Sequence, residues 1–186
     1  RRHLREQLSA IGGSLVVAGL HSKIRVHIHA NDPSEVFRVA ARFGTVAGEK
    51  ADDMQRQQHS AHSTDRRVAI VSDSAADIPE AELDRLDIHM IPVRVHFGAR
   101  SYLDKVGITA DEFYAEIERG TEPPKTSQPP PGDSRRQFEF LGSHHSAVIS
   151  INLSSRVSGT CAAAQTAAAR SATHGKVSVI DTGNVS

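Results

Sequence analysis

The chain has 186 residues, and its 22 Lys and Arg offset its 22 Asp and Glu, so the formal net charge at neutral pH is zero. Such a balance supplies no field that favours nucleic acid or an anionic membrane surface. A single cysteine, Cys161, excludes an internal disulfide and a multi-thiolate zinc site, and fits the cytoplasm better than an oxidising compartment.

The length suffices for one full core, or for one domain with a small module beside it. No apolar run approaches the roughly 20 residues of a membrane helix, and no signal peptide precedes the first element, so no stable membrane insertion is expected. The chain begins at Arg1 without a methionine and stops at Ser186 just beyond a predicted strand. Both ends are expected to be cuts in a longer polypeptide.

Residues Arg2 to Ala10 have the pattern of a short amphipathic helix, stopped by Gly12-Gly13. Ser14 to Ala18 reads as a strand. Lys23 to His29 alternates strictly, with Ile24, Val26 and Ile28 on one face and Arg25, His27 and His29 on the other. Asp32-Pro33 is a helix start, cap then first helical position, and Val36, Phe37, Ala40 and Ala41 form its apolar stripe. A short strand is expected over Thr45 to Lys50. Residues 1–60 thus read as a small α+β module, and the polar stretch that follows places a linker over 61–67.

From residue 68 the pattern becomes α/β. Val68-Ala69-Ile70-Val71 is a strand of the kind buried on both faces, and the polar turn Ser72 to Asp77 follows it. A helix is expected over Glu80 to Leu86 with Asp77 as its cap, then one long strand from Ile88 to Phe97, then a helix from Thr109 to Glu118 with a Thr109–Glu112 capping box. Lys125-Thr126-Ser127-Gln128-Pro129 forms a hydroxyl-rich turn, followed by a helix over Ser134 to Leu141 and a buried strand over Ala147 to Leu153. A second hydroxyl-rich turn, Ser154 to Thr160, leads into a helix expected to begin near Val157 and carried by the alanines that follow. The last strand is Lys176 to Ile180, with Asp181-Thr182 at its end. Strands and helices in this alternation imply a largely parallel sheet flanked by helices, whose carboxyl edge gathers Ser72-Asp73-Ser74, the turn Ser154 to Thr160, and Asp181. A helix start near Val157, with the Ser158 and Thr160 hydroxyls and Gly159 in its first turn, suits an anion.

These residues resemble the DegV family of fatty-acid-binding proteins. The matching pieces are Ser72-Asp73-Ser74-Ala75-Ala76-Asp77-Ile78-Pro79, Ile91-Pro92-Val93 with Tyr102-Leu103-Asp104, Thr126-Ser127-Gln128-Pro129, Ser154 to Thr160, and Val179-Ile180-Asp181-Thr182, in order across residues 67–186. Residues 5–59 resemble the C-terminal region of the large, DAK-phosphatase-like component of fatty acid kinase, on Gly13 to Val17, Lys23 to His29, Asn31-Asp32-Pro33, Phe43-Gly44 and Asp53 to Gln57. Together they give the chain the look of a junction in a fused fatty acid kinase system. The resemblance implies a long-chain fatty acid whose carboxylate is presented to a kinase domain or subunit for acyl-phosphate formation. Thr126 and Ser158 match the family's head-group contacts. Ser127, Gly159, Thr160, Asp73 and Ser74 complete the candidate site. It further implies no cofactor in the lipid-binding domain, zinc as the candidate metal at His27 and His29 of the N-terminal module, and ATP with Mg only in a kinase domain outside this chain. Pro129-Pro130-Pro131 and Cys161 depart from the family pattern.

Each candidate has a plainer explanation. Thr126, Ser127 and Ser158 are residues that cap helices and close turns, His27 and His29 are two solvated imidazoles on an amphipathic strand, and Asp77 and Asp104 are turn or cap residues. A reading of Ser158 or Ser74 as nucleophile of an acyl hydrolase is the rival enzyme hypothesis, although the Gly-x-Ser-x-Gly elbow is missing and no histidine is tied to either serine by motif. A docking or dimerisation fragment is the remaining alternative.

Overall fold

The computed structural model describes residues 2–20, 23–51, 67–120 and 123–185. In chain order the elements are α1 (Arg2–Ser9), β1 (Gly13–Leu20), β2 (Lys23–His29), α2 (Pro33–Ala41), β3 (Val68–Asp73), α3 (Glu80–Leu86), β4 (Ile88–Ile91), β5 (Arg94–Phe97) and β6 (Arg100–Leu103). They continue with α4 (Ala110–Arg119), β7 (Lys125–Ser127), α5 (Pro131–His144), β8 (Ala147–Asn152), α6 (Thr160–Ala169), a 3-10 turn (His174–Lys176) and β9 (Val177–Asp181). The chain divides into two compact units, one of Arg1–Ala51 with Val95–Lys125 and one of Asp52–Arg94 with Thr126–Ser186. The expected linker, except for Arg67, and the Asp53 to Gln57 motif lie outside the described residues.

In the first unit, β1 and β2 form an antiparallel ribbon with Val17 opposite Val26 and Ala18 opposite Arg25. Leu4 and Leu8, one helical turn apart on α1, meet Val36 and Val39 of α2, and Ile11, Leu15, Ile28 and Ala30 close this small core. Asp32 caps α2, its Oδ1 accepting from Ser34 N at 2.9 Å and Glu35 N at 3.3 Å. No strand forms over residues 45–50, because Gly48 takes a φ of +71° and breaks the extended path. A second cluster in this unit gathers Val95, Phe97 and Ile108 with Tyr102 and Phe113. The expected capping box is complete: Thr109 Oγ1 accepts from Glu112 N and Glu112 Oε2 accepts from Thr109 N.

The second unit is built on a four-stranded sheet in the order β4-β3-β8-β9, every neighbouring pair parallel. Residues 69, 71 and 73 of β3 point to one face and 70 and 72 to the other. On the first face, Ala69, Val71, Ile91 and Val148 pack under Phe138 and Leu141 of α5 and Ala164, Ala167 and Ala168 of α6. Phe138, Leu141, Val71 and Val148 are wholly buried, each stabilising the unit by about 1.5–3 kcal/mol relative to exposure. The alanines give α6 its helix propensity, and their short side chains are the ones that contact the sheet.

Two expectations are corrected here. The single long strand from Ile88 to Phe97 is two, β4 and β5, because Pro92 has no N–H for the ladder and Val93 N donates instead to Ser74 Oγ at 2.9 Å. The helix expected to start near Val157 starts at Thr160: Val157 N and Ser158 N close a single turn on Ser154 O at 3.1 Å, and Gly159 N does not continue it.

Candidate functional site

Three polar residues stand on one rung at the carboxyl edge of the sheet. Asn152, the last residue of β8, lies beside Asp181, the last of β9. On its other side Ser72 pairs with Ile151, which brings Asp73, the last of β3, level with Asn152. Because all three are in register, their side chains share the face covered by α5 and α6. Asn152 Nδ2 donates to Ser150 O at 3.2 Å and to Ser150 Oγ at 3.1 Å, holding its own strand end.

The two flanking carboxylates reach the turn that follows β8. Asp73, only 2% exposed, accepts from Leu153 N on Oδ2 at 2.9 Å and from Ala75 N on Oδ1 at 3.1 Å. Asp181 accepts from Ser155 Oγ on Oδ2 at 2.5 Å, and from Ser155 N and Gly183 N on Oδ1 at 3.2 and 3.0 Å. The hydroxyl of Ser155, then the Gly183 and Ser155 N–H groups, hold the Asp181 carboxyl below its ordinary value. Between these anchors Ser154 N donates to Asn184 O at 2.7 Å, and Ser154 Oγ accepts from Arg156 N at 3.2 Å. Every backbone N–H from Leu153 to Ser158 therefore has an acceptor inside the protein.

The supply of donors changes at the next residue. Gly159 is the N-cap of α6 and makes no side-chain cap bond. Ser158 Oγ accepts from Thr160 N at 3.2 Å and shares a hydrogen bond with Thr160 Oγ1 at 2.9 Å. The N–H groups of Gly159, Cys161 and Ala162 donate to no acceptor among the described residues. The start of α6 thus presents unpaired N–H groups, a helix-dipole positive end and two hydroxyls, a set suited to an oxyanion.

The first hydroxyl-rich stretch, expected as a turn, is strand β7 over Lys125–Ser127, and the segment after it meets the second turn through a residue that sequence reasoning did not single out. A Cβ on Gly159 would collide with the side-chain carboxamide of Gln128, so the glycine makes room for the glutamine. Pro129 beside it is fully buried and anchors the segment. Thr126 and Ser127 are exposed on β7, and the Thr126 hydroxyl has no partner among the described residues. The only sign of the Gln128–Gly159 contact in the sequence is that a small residue in one motif faces a long one in another.

The remaining candidates are placed as follows. Ser74, 1% exposed, donates its N–H to Ile91 O and accepts Val93 N on Oγ, stitching β3 to the segment after β4. No histidine hydrogen-bonds Ser74 or Ser158 among the described residues. Asp77 is not the cap of α3; Pro79 occupies that position, and no side chain caps the helix. Asp104 sits in an isolated bridge to Ile108. Cys161 is 1% exposed, and burial, then the charges of Asp181 and Asp73, push its thiol up. His27 and His29 lie exposed with their Nε2 atoms 3.2 Å apart. Two imidazoles are half of a tetrahedral zinc set, and among the described residues no group of three or more ligating side chains forms. By itself the pair does not fit a closed zinc site. On the sheet face opposite α5 and α6, Ile70, Ile78, Ile88, Ile151 and Leu153 line a mainly apolar cleft of ≈ 230 Å³. No helix among the described residues is long and apolar enough to cross a membrane.

Residues 67–186 match the family model described as "Uncharacterised protein, DegV family", and residues 1–61 match the model for the middle domain of FakA-like fatty acid kinase subunits. Protein DegV of Bacillus subtilis is 42% identical over 100 residues, 54% of this chain and 36% of that protein. A DegV domain-containing 15.5 kDa protein of Staphylococcus aureus is 36% identical over 117 residues, 63% of this chain and 81% of that one. Among solved structures, a fatty-acid-binding DegV family protein from Thermus thermophilus matches with a TM-score of 0.59 and 32% identity, covering 64% of this chain and 42% of that one. DegV of Bacillus subtilis, described as a fatty acid binding protein, matches with a TM-score of 0.56 and 37% identity over 62% of this chain and 40% of its own. The parallel sheet with its flanking helices is the fold these structures share with residues 67–186, of whose full-length relatives this chain spans about two-fifths. With the family model covering well over half of its length, the chain belongs to the DegV family.

Proposed function

We propose that this chain binds a long-chain fatty acid by its carboxylate, at the start of α6, and presents that carboxylate to a kinase. The observation that carries the reading is the change in donor supply at Gly159. The N–H groups before it are consumed by internal acceptors, whereas those of Gly159, Cys161 and Ala162 have no acceptor among the described residues and are flanked by the Ser158 and Thr160 hydroxyls. A carboxylate accepts several directed donors, and hydroxyls with helix-start amides supply them without a fixed counter-charge. Solved DegV relatives are described as fatty-acid-binding, which names the anion class. Thr126, whose hydroxyl has no partner among the described residues, is the contact from β7.

The kinase half of the reading rests on residues 1–61, which match a middle domain found in fatty acid kinase. Within one polypeptide, such a module and a lipid-presenting domain serve consecutive steps, binding and phosphoryl transfer. The γ-phosphoryl group of ATP passes to a carboxylate oxygen, leaving acyl phosphate and ADP, and the transferring machinery belongs to a kinase domain outside this chain. The acyl-hydrolase reading loses support, because among the described residues neither Ser74 nor Ser158 has a histidine to take its proton.

Lipid extraction of the purified protein followed by mass spectrometry tests the binding half. A fatty acid that co-purifies with the wild type and is lost in Thr126→Ala and Ser158→Ala is the expected result. Retention by both variants refutes the head-group assignment. For the presentation half, protein, fatty acid, ATP, Mg and a fatty acid kinase catalytic domain should yield an acyl phosphate that hydroxylamine traps as a hydroxamate. Its absence with binding intact refutes presentation alone.

A further inference from the structure

We infer that Asp181 is a positioning residue for the carboxylate site: together with Asp73 it clamps the turn before α6 from both sides, setting where Ser158, Gly159 and Thr160 stand. This rests on the head-group reading above, and it goes beyond it by assigning a role to a residue outside the ligand's own contacts.

The geometry is that of a bracket. β8 runs between β3 and β9, and the residues ending all three strands share one rung. Asp73 takes the N–H of Leu153, the first residue of the turn, from the β3 side. From the β9 side, Asp181 takes the N–H and hydroxyl of Ser155, two residues on. The segment after β9 adds to the same bracket, with Thr182 N and Oγ1 donating to Asn152 O at 3.1 and 2.9 Å, and Asn184 O accepting Ser154 N. Asp181 spends its second bond from Oδ1 on Gly183 N, which fixes the carboxylate itself. Gly183 has a φ of +68°, so its N–H is aimed back by a backbone conformation that glycine adopts without strain.

The two clamps differ in what they touch. The Asp73 carboxylate is buried and ties together strand ends that pack in the core, so it serves stability and position at once. Asp181 is exposed, beyond the last buried layer, and its bonds to the turn all go to Ser155. Two residues, Arg156 and Val157, separate Ser155 from Ser158, and Val157 N and Ser158 N turn back to Ser154 O. Holding Ser155 therefore fixes the phase at which the chain enters α6. A donor set works on an anion only if its donors converge, so loosening that phase weakens the head-group contact while leaving apolar contacts alone.

The test compares palmitate with methyl palmitate, which keeps the acyl chain and removes the anionic head. Asp181→Ala should weaken palmitate binding about tenfold or more, the loss of one charge-assisted anchor, and change methyl palmitate binding by less than about twofold. Asp181→Asn, whose carbonyl can still accept from Ser155 N and Gly183 N, should restore most of the palmitate affinity. Ser155→Ala removes only the hydroxyl half of the clasp and carries the same contrast should Asp181→Ala not fold. Equal losses for acid and ester, or no loss for either, overturn the positioning role. If Ser158→Ala leaves palmitate binding unchanged, the head-group reading itself has failed, whereas loss in Ser158→Ala with none in Asp181→Ala refutes only the inference about Asp181.

Discussion

Replacing Asp73 with asparagine keeps the shape of the side chain and removes one acceptor. The native carboxylate is 2% exposed and divides its oxygens between Leu153 N at 2.9 Å and Ala75 N at 3.1 Å. The amide of Asp73→Asn has one oxygen, so its NH₂ must face one of these N–H groups. A hydrogen bond to a charged acceptor contributes about 1.5–3 kcal/mol, and a buried donor left without a partner costs about 1–3 kcal/mol. Against this, a neutral amide avoids the desolvation of a buried charge and recovers part of the loss. The net expectation is a destabilisation of about 2–3 kcal/mol, a fall in Tm of roughly 4–12 °C for a chain of this size. Thermal melts followed by far-UV circular dichroism measure the loss, and hydrogen exchange locates it, because the Leu153 or Ala75 amide should exchange faster than in the wild type. A variant within about 0.5 kcal/mol of wild type, the range of ordinary surface changes, refutes the claim that Asp73 holds the strand ends together.

Three further outcomes follow from the same geometry. Gly159→Ala displaces the Gln128 carboxamide, an exposed and flexible group, so stability should change by less than about 0.5 kcal/mol while fatty acid affinity falls in a fluorescent displacement assay; unchanged affinity refutes the fit of the two turns. Ser74→Ala leaves Val93 N, in a residue 8% exposed, without its acceptor, and urea titration should show a loss of about 1–3 kcal/mol with fatty acid binding retained. Asp181 has a folded pKa depressed below 3.8, chiefly by the Ser155 hydroxyl, so its contribution is complete above 3.8 and is lost as pH falls through the lower folded value. The stability gap between wild type and Asp181→Asn should accordingly close well below pH 3.8, and a gap that persists there contradicts the assignment.

Local pattern made most elements legible. Lys23 to His29 alternates and forms β2 over those residues, Glu80 to Leu86 forms α3, and the Thr109–Glu112 capping box closes as its spacing requires. The largely parallel sheet followed from apolar strands alternating with helices. Errors arose where a residue's partner was distant in sequence. Ile88 to Phe97 reads as one strand because Ile, Val and Phe dominate it, yet Pro92 ends the ladder and Val93 N turns to a serine 19 positions earlier. The late start of α6 at Thr160 was missed for a different, local reason: Ser154 O takes the N–H groups of Val157 and Ser158, three and four positions on, in a single turn that Gly159 does not continue. In the candidate site, the hydroxyl turns were visible as motifs, whereas the Gln128–Gly159 fit and the bonds of Asp181 to Ser155 are pairings across 31 and 26 positions.

A proposed anion site whose supports are two carboxylates needs an electrostatic explanation. Asp73 and Asp181 each accept N–H or O–H donors that would otherwise point at the turn, so their charge is met within the protein. The donors left for a ligand at the start of α6 are neutral, worth about 1 kcal/mol each in net terms. On the proposed function, burying an acyl chain adds about 0.8 kcal/mol per methylene, and the head-group contacts add affinity for the acid over its ester and set orientation. That division suits a carrier. An acyl phosphate bears more negative charge than the carboxylate it replaces, and a lysine or arginine fixed at the head would bind it more tightly than the substrate. Neutral donors between two acidic anchors give no such gain, so on the proposed function phosphorylation would bring no tighter hold on the head when the product must leave.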